Sequence, residues 1–365
     1  MLSTVQYCYI THEHQDHYHL PSIRKLGKQP VYLSPQLPEE NISPHLVSLG
    51  FTAKTLIPLT WYRIDEEVNV LSIPLYNDDS CLLIDTPTAY VVNLNDSKPT
   101  NSQLWNLRYY LSANPSKKVV ALSSYSPASI VNSFRKDGEY VSIKNKQAYI
   151  DYLNNLVTII DADYFIPFAS QAIFCRPDSK WANGYKVTID DIAKGWKART
   201  TLLRPYSTID LDTFCHTSVP TEQYKCTVAP IEKKVAGQMI LESAVSLSAM
   251  TLSALESKLR IHRFVLWLLF PKGVCFVTEQ EQYHFSTIKG RFIKSNANPS
   301  FAIRVPAQAL GDAVTFGHFG DLGITMFTVI ILRGKTNPRL ICVFFILLTL
   351  YDYRHTASIK GFCKW

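Results

Sequence analysis

The stretch Val5–His19, VQYCYITHEHQDHYH, decides the fold because an apolar run leads directly into a cluster of histidines. The β-branched and aromatic residues at its start indicate a buried strand, and the polar residues after Ile10 indicate a loop. Four of the chain's 10 histidines fall in this loop, together with a glutamate and an aspartate. Imidazole is the commonest metal ligand among side chains, so a metal site is the first hypothesis and a solvated turn is the alternative.

Strand-like and helix-like segments alternate from this stretch to about residue 215. Runs such as VYLSP and KKVVAL have strand character, whereas NSQLWNLRYYL and KQAYIDYLNNLVTII have the spacing of amphipathic helices. The run SCLLIDTPTAYVVN predicts a hairpin that turns at Thr86–Thr88. The alternation predicts an α/β fold, and the polar clusters that follow the strands predict a site at their carboxyl ends.

The spacing of His12, His14, Asp16 and His17, H-x-H-x-D-H, is more specific than a pair of histidines. In an extended loop, residues two apart point the same way, so His12 and His14 can approach one ion. Asp16 and His17 lie further round the turn and can serve a second ion. The motif therefore predicts a two-metal site built from one loop.

The motif ITHEHQDH resembles the signature of the metallo-β-lactamase-fold superfamily. Within that superfamily, the stretches VVNLNDS, LSSYSPAS and YFIPFAS are similar to the branch of UlaG-like lactonases, phosphatidylethanolamine-cleaving phospholipase D and CMP-sialic acid hydroxylases. The resemblance covers residues 5 to 215. It implies an αββα sandwich that holds one or two zinc ions, with iron or manganese as alternatives.

The same resemblance implies a role for each ligand. Asp96 of NLNDS matches the aspartate that bridges the two ions, His12 and His14 match the ligands of the first ion, and Asp16 and His17 match those of the second. A metal-bound water would then attack an ester or phosphodiester bond, and Asp16 would also orient that water.

The chain departs from the family pattern in three places. LYNDDS supplies Asn77, Asp78 or Asp79 where the family has a histidine. The segment IFCRPDSKWANGY, where a final histidine is expected, contains Arg176 and Asp178 instead. The family also places several strands ahead of its histidine loop, so we expect an N-terminally truncated or divergent member with an incomplete ligand set.

The sequence predicts four regions. Residues 1–215 form the metallo-β-lactamase-like domain, 216–235 a linker, 236–333 a smaller α/β domain, and 334–365 an apolar C-terminal tail. The order of elements in the smaller domain loosely resembles a sterol-carrier-protein-2-like domain with an apolar ligand tunnel. A plain packing or dimerisation domain is the alternative.

Composition limits the partners and the compartment. The formal charge is +7, but lysines and arginines are scattered, which does not favour nucleic-acid binding. The 8 cysteines include no C-x-x-C pair, which is typical of a reducing cytoplasm. The longest apolar run, Leu340–Tyr351, is too short to span a bilayer, so we expect a buried helix, with peripheral membrane contact as the alternative.

Three functions follow from these observations. The first is a metal-dependent hydrolase acting on a small-molecule substrate, with lipid-like substrates among the candidates. The second is an iron-dependent oxygenase-type partner of a separate electron donor, because the sequence has no Rieske ligand pattern of its own. The third is a catalytically degenerate protein that binds a lipid or a metal. The oligomeric state stays open.

Overall fold

The computed structural model describes residues 5–14, 17–37, 42–75, 79–126, 134–141, 145–170, 173–218, 228–294, 298–317, 319–323, 325 and 327–352, without the side chains of residues 321 and 349–352. The chain forms two compact units and passes between them more than once. Unit 1 comprises Met1–Ser126, Gln147–Gln171 and Val187–Lys225, and unit 2 comprises Pro127–Lys146, Ala172–Lys186 and Cys226–Trp365.

The elements are numbered along the chain. The strands are β1 Tyr7–Tyr9, β2 Val31–Pro35, β3 Ala53–Leu56, β4 Trp61–Arg63, β5 Asn69–Pro74, β6 Ser80–Asp85, β7 Ala89–Asn93, β8 Lys118–Ser124, β9 Phe134–Lys136, β10 Glu139–Val141, β11 Tyr164–Phe168, β12 Thr201–Leu202, β13 Ser207–Ile209, β14 His216–Ser218, β15 Val274–Val277, β16 Gln282–Ser286, β17 Arg291–Ile293, β18 Phe301–Arg304 and β19 Val329–Leu332. The helices are α1 Leu20–Leu26, α2 Ile42–Ser48, α3 Asn101–Leu111, α4 Lys146–Ile160, α5 Ile189–Gly195, α6 Val228–Ser243, α7 Ala249–Ile261, α8 Arg263–Leu269, α9 Ala307–Phe316 and α10 Pro338–Asp352, with 3₁₀ helices at Lys180–Tyr185 and Phe319–Gly323.

Unit 1 is built on two main sheets. The first contains β1, β2 and β3, all parallel. The second has the order β12-β11-β8-β7-β6-β5-β4, in which β7, β8, β11 and β12 are parallel and β4 to β7 are antiparallel. The predicted hairpin is the β6–β7 pair, which turns at Thr86–Thr88.

Alternation along the strands separates the layers of unit 1. Tyr32 of β2 packs with helices α1 and α2, whereas its neighbour Leu33 packs between the two sheets. In β5, Val70 faces the first sheet and Leu71 faces α3 and α4. Because side chains alternate between the faces of a strand, these contacts define a helix–sheet–sheet–helix sandwich. The predicted four-layer α/β fold is confirmed.

Helices α3 and α4 cover the outer face of the larger sheet. In α4, the buried residues recur at helical spacing and form one face, which comprises Tyr149, Ile150, Leu153, Leu156, Val157 and Ile160. Helix α3 begins at a capping box in which Thr100 and Gln103 bond each other's backbone. This cap fixes the start of α3 shortly after Asp96.

Unit 2 is built on one sheet of order β10-β9-β19-β18-β15-β16-β17. Its core is rich in phenylalanine, and the fully buried rings include Phe134, Phe270, Phe276, Phe285, Phe301, Phe319 and Phe344. Helix α10 contributes Phe344 and Leu348 to this core, so one face of the apolar run near the end of the chain is buried, whereas Val343 and Ile346 of the same helix are exposed.

The contacts group the chain differently from the four predicted regions. The segments Pro127–Lys146 and Ala172–Lys186, which the sequence placed in the first domain, belong to unit 2. The physical reason is pairing across the fold, since β9 pairs with β19 and Phe134 lies in the unit 2 core. Helix α10 belongs to unit 2 and is part of its core. The family likeness of each domain stays a prediction.

None of the helices in the described part of the chain is both long enough and apolar enough to cross a membrane.

Candidate metal centre

The histidine loop leaves the first sheet of unit 1 directly after β1. The Ile10 backbone N–H donates to the Leu33 carbonyl at 2.8 Å, which extends the pairing of β1 with β2 by one bond. The loop then turns back on itself, because the backbone N–H groups of His17 and Tyr18 both donate to the His14 carbonyl, at 2.9 and 2.7 Å. This turn brings His17 back toward His12.

His12, His17 and Asp96 form a cluster in which one ligand atom of each lies within 4.8 Å of the others. The His12 and His17 ring centroids are 4.3 Å apart, and Nε2 of His17 lies 3.4 Å from Oδ2 of Asp96. His12 is 3% exposed, whereas the side chains of His17 and Asp96 are 18% and 35% exposed. The cluster is therefore anchored in the protein on the His12 side and open to solvent on the Asp96 side.

His14 adjoins this cluster. Its Nδ1 lies 2.8 Å from Nε2 of His12, and the two rings meet edge to face. Two ligands of one tetrahedral zinc lie about 3.3 Å apart, given zinc–nitrogen bonds of about 2.0–2.1 Å. A change of a few tenths of an ångström in the His12–His14 separation would therefore let both nitrogens reach one ion.

Asp96 is held by a turn that follows β7. The Leu94 N–H donates to the Leu122 carbonyl at 2.9 Å, and the Ser124 N–H donates to the Asn95 carbonyl at 2.7 Å. Asn95 has φ of 52°, the left-handed conformation that asparagine adopts more readily than most residues. The Ser97 N–H and hydroxyl both donate to the Leu94 carbonyl and close the turn.

The Asn95 side chain joins the Asp96 turn to the histidine loop. Its Nδ2 donates to the Thr11 hydroxyl at 2.7 Å and lies 3.1 Å from Nδ1 of His17. The Nε2 atom of His17 is thereby directed toward Asp96. Asn95 is therefore a positioning residue, and no sequence motif indicated this role.

Asp79 and Thr11 fix the ring of His12 from behind. Oδ1 of Asp79 lies 3.2 Å from Nδ1 of His12, and the Thr11 hydroxyl lies 2.9 Å from the same nitrogen. A proton on Nδ1 that is held by Asp79 leaves the Nε2 lone pair free to bind a cation. Asp79, which the sequence offered as a substitute ligand, therefore lies where it orients His12.

The position of Asp79 depends on hydroxyl groups in neighbouring strands. The Ser80 hydroxyl donates to the Thr11 carbonyl at 2.9 Å, and the Tyr9 hydroxyl lies within 2.8 Å of both Ser72 and Ser80. Burial is the main reason that the pKa of Tyr9 is raised far above its usual range. This buried network ties the histidine loop to β5 and β6.

The carboxylate of Asp96 carries the clearest sign of a missing partner. Oδ1 is buried and has no hydrogen-bond partner among the described residues. Burial alone would raise the pKa of Asp96, but the hydrogen bond with His17 and the charges of His17 and His12 lower it to about 2. A buried, ionised oxygen without a donor is costly unless a cation or a water completes it.

The donor set fits a divalent transition metal. Two imidazoles and one carboxylate, with a third imidazole beside them, match the nitrogen and oxygen ligands that zinc takes in catalytic sites. The same two-histidine, one-carboxylate composition is used by non-haem iron(II). The residues present therefore fit a metal ion, and the composition does not choose between zinc and iron.

The remaining predicted ligands fall into two groups. Asp16, Asn77 and Asp78 lie outside the described residues. Arg176 and Asp178 belong to unit 2, where they bond each other at 3.0 Å and Arg176 also pairs with Glu242 at 2.8 Å. A second ion on Asp16 and His17 stays a prediction, whereas one cluster of three ligands is present among the described residues.

Comparisons with known proteins give remote likenesses. No protein-family model matches the chain. A Mycolicibacterium smegmatis protein described as a Rieske 2Fe-2S iron–sulfur protein is 23% identical over 197 residues, which cover 50% of this chain and 37% of that relative. The chain thus spans little more than a third of the relative's length.

Two solved structures are similar at a low level. A Thermotoga maritima protein described as a zinc-dependent hydrolase of the metallo-β-lactamase superfamily has a TM-score of 0.26 and 10% identity, with 48% of this chain and 81% of that chain covered. A diphosphatase of the PhnP family has a TM-score of 0.33 and 8% identity, with 59% and 72% covered. The fold assignment rests on the layers described above. The UlaG-like and sterol-carrier likenesses stay predictions.

Proposed function

We propose that this chain is a metal-dependent hydrolase that cleaves an ester or phosphodiester bond at the cluster of His12, His17 and Asp96. The observation that carries the proposal is the clustering of ligand atoms of these three residues within 4.8 Å of one another, beside an Asp96 Oδ1 that is buried without a hydrogen-bond partner among the described residues. The location at the ends of β1 and β7 supports it, since sites in layered α/β folds are built at such edges.

Each residue has a separate task in this proposal. His12, His17 and Asp96 hold the cation, with His14 as a further nitrogen ligand. Asp79 and Thr11 keep Nε2 of His12 directed at the ion, and Asn95 does the same for His17. A divalent cation held there lowers the pKa of a water ligand and polarises the oxygen of an ester or phosphoryl group. Asp16 remains the proposed residue for orienting the attacking water.

Zinc is the metal that we propose first, because His14 adds a third imidazole beside the two-histidine, one-carboxylate set that zinc and iron(II) share. Manganese and iron are the alternatives. The substrate is a small molecule, and a cytoplasmic location remains part of the proposal.

The test is metal-dependent hydrolysis by the full chain. Metal-free protein is reloaded with zinc, manganese or iron(II) and incubated with bis-p-nitrophenyl phosphate and p-nitrophenyl acetate. We expect release of nitrophenol that His12→Ala and Asp96→Ala each reduce by at least about a hundredfold, since loss of a ligand removes the cation. The matched control is His45→Ala, because His45 bonds the Tyr18 hydroxyl at 2.8 Å and lies outside the cluster.

A second function is favoured by two observations together. The two-histidine, one-carboxylate cluster is a ligand set for non-haem iron(II), and the Mycolicibacterium smegmatis relative is described as a Rieske 2Fe-2S protein. We therefore keep an iron-dependent oxygenase that receives electrons from a separate donor as the alternative.

The two functions give different results in one experiment. Iron-loaded protein that consumes oxygen in the presence of a reductant, with no hydrolysis under any metal, supports the oxygenase. Hydrolysis that depends on His12 and Asp96 supports the hydrolase. A protein that still binds metal but shows neither hydrolysis nor oxygen consumption supports a catalytically degenerate binding protein.

A further inference from the structure

An exposed apolar surface lies on helix α8 and the end of α7 in unit 2. Within these helices, Leu259 and Leu266 are fully buried, and Phe270 directly after α8 is also buried. The opposite side is apolar as well, and we call it the α8 face; its exposed members are Ile261 (57%), Phe264 (72%), Val265 (39%), Trp267 (44%) and Leu268 (67%). A surface helix normally carries polar residues on its solvent side, so α8 departs from the usual pattern.

The members of the α8 face come from α8 and from Ile261, the last residue of α7. Phe264 and Leu268 are four residues apart within α8, which places them on the same side of that helix. The rings of Phe264 and Trp267 lie 6.1 Å apart. Contiguous apolar surface of this kind marks an interaction site rather than scattered exposed residues.

Positive charges flank the α8 face. Arg260 lies in the last turn of α7, Arg263 is the first residue of α8, and Lys272 follows α8. The turn between β16 and β17 adds Lys289, since a Cβ placed on Gly290 of this turn would lie 3.3 Å from Cδ of Arg263 and 3.6 Å from Cγ of Arg260. The same turn presents Ile288, which is 70% exposed.

Acidic residues are sparse around these charges. The sequence has no aspartate or glutamate from residue 257 to 278 or from 282 to 311. None of the four cations forms a salt bridge with another residue in the described part of the chain. Glu256 lies one turn before Arg260 in α7 and accepts a hydrogen bond from the Phe292 backbone at 2.8 Å.

We propose that the α8 face docks on an anionic lipid surface, with Phe264 and Leu268 in the boundary between headgroups and acyl chains. An apolar helix side that bears Trp, Phe and Leu between lysines and arginines is the composition of helices that lie in the plane of a membrane interface. Tryptophan favours the headgroup level, where Trp267 would lie at the margin of the face. Lysines and arginines near an anionic surface strengthen the binding.

Charge also decides between a membrane and a second copy of this chain. In a symmetric dimer the same patch would face itself, so the cations of one copy would meet those of the other. Like charges placed opposite each other disfavour such an interface. An anionic lipid surface instead complements them.

The test is co-sedimentation of the full chain with vesicles of phosphatidylcholine alone and of phosphatidylcholine with phosphatidylserine. We expect binding to the anionic vesicles that weakens at high salt, because salt screens the lysine and arginine charges. The double variant Phe264→Ser with Leu268→Ser is expected to reduce this binding by at least about tenfold. Arg260→Glu with Arg263→Glu is expected to remove the preference for phosphatidylserine.

The matched control replaces two exposed apolar residues elsewhere in unit 2. Ile240 of α6 is 71% exposed and Phe316 of α9 is 68% exposed, so Ile240→Ser with Phe316→Ser removes similar apolar surface without touching the α8 face. This control is expected to bind vesicles as the parent does. His12→Ala is also expected to bind normally, so the result is independent of the metal centre.

Three results would overturn the proposal. The first is a parent chain that stays in the supernatant with both kinds of vesicle. The second is equal binding by the parent and by the Phe264→Ser, Leu268→Ser variant. The third is a concentration-dependent dimer in sedimentation velocity that this variant abolishes, which would assign the α8 face to a second copy.

Discussion

At the residue scale, the proposed metal centre depends on side chains that are far apart in the sequence. Asn95 bonds Thr11, which lies 84 positions earlier in the sequence, and Asp79 contacts His12, which is also remote from it in the sequence. Each of these contacts fixes the direction of a ligand nitrogen and does not supply a ligand itself. Positioning groups of this kind change metal affinity by about 10–100-fold in known sites.

Asp96 gives a pH-dependent prediction. Its pKa in the folded chain is lowered to about 2, chiefly by His17 against the opposing effect of burial. In the unfolded chain an aspartate has a pKa of about 3.9. A carboxylate whose pKa falls on folding stabilises the fold above the unfolded value, and this stabilisation is lost as the pH falls through the folded value.

We therefore expect the stability difference between the metal-free parent and Asp96→Asn to be present above about pH 4 and to disappear as the pH approaches about 2. Urea unfolding at steps of pH measures it. A difference that is already absent above pH 4 would show that the Asp96 carboxylate is not held by the histidines.

The sequence indicated the three residues that the structure brings together. The H-x-H-x-D-H spacing indicated His12 and His17, and the resemblance of NLNDS to a family motif indicated Asp96. The roles of Thr11, Asn95 and Asp79 were not predicted, because they arise from contacts between β1, β6 and β7 that no local pattern encodes. One sequence signal for the role of Asn95 was its position directly before Asp96. Asparagine adopts the left-handed conformation more readily than most residues, and Asn95 has this conformation in the turn that holds Asp96.

At the element scale, the tight turn before β15 depends on Gly273. This residue has φ of 80°, and a Cβ added to it would lie 2.4 Å from the carbonyl oxygen of Phe285. Gly138, in the hairpin between β9 and β10, has φ of 94° but has nothing within 4 Å of the added Cβ. Alanine at Gly138 would meet only an unfavourable backbone conformation, whereas alanine at Gly273 would also meet a steric clash.

We expect Gly138→Ala to lower the free energy of unfolding by about 1–2 kcal/mol, because it places an alanine at positive φ. Gly273→Ala adds a clash with the backbone of β16 and is expected to destabilise unit 2 by several times as much. Thermal and urea unfolding measure both variants. Equal effects of the two substitutions would contradict the packing at Gly273.

Strands and helices with a clear hydrophobic periodicity were predictable from the sequence. A break between two helices within one continuous apolar pattern was not. The strands and helices of unit 1 that flank the metal centre follow the sequence analysis. The run from Leu241 to Pro271 has a continuous helical pattern, yet the structure has α7 and α8 separated at His262 and preceded by an interruption before Ser248. The Ser248 side chain caps α7 by accepting from the Thr251 N–H.

At the scale of the whole molecule, the two units share the chain in an order that the sequence does not reveal. Phe134 lies between β8 and α4 in the sequence, both of which belong to unit 1, yet its ring is fully buried in unit 2. Local periodicity assigned this segment to the nearest domain. Its true partner, β19, lies almost two hundred residues further along.

The division into units predicts where a core substitution acts. Phe134→Ala is expected to destabilise unit 2 by about 3–5 kcal/mol, the usual cost of removing a buried phenylalanine ring. The matched variant is Phe165→Ala, because Phe165 of β11 is equally buried but lies in the core of unit 1.

Hydrogen exchange read along the chain measures the outcome. In Phe134→Ala we expect lost protection in β15, β18 and β19, with β8 and β11 protected as in the parent. Phe165→Ala should give the opposite pattern. Loss of protection in β8 and β11 on substitution of Phe134 would contradict the assignment of its segment to unit 2.

The most direct test of the metal centre is zinc binding by the full chain, measured by isothermal titration and by elemental analysis after dialysis. We predict that the parent and His45→Ala each retain at least one zinc per chain, whereas His12→Ala, His17→Ala and Asp96→Ala each lose it while remaining folded. A parent chain that retains no divalent metal, or ligand variants that retain as much as the parent, would contradict the account.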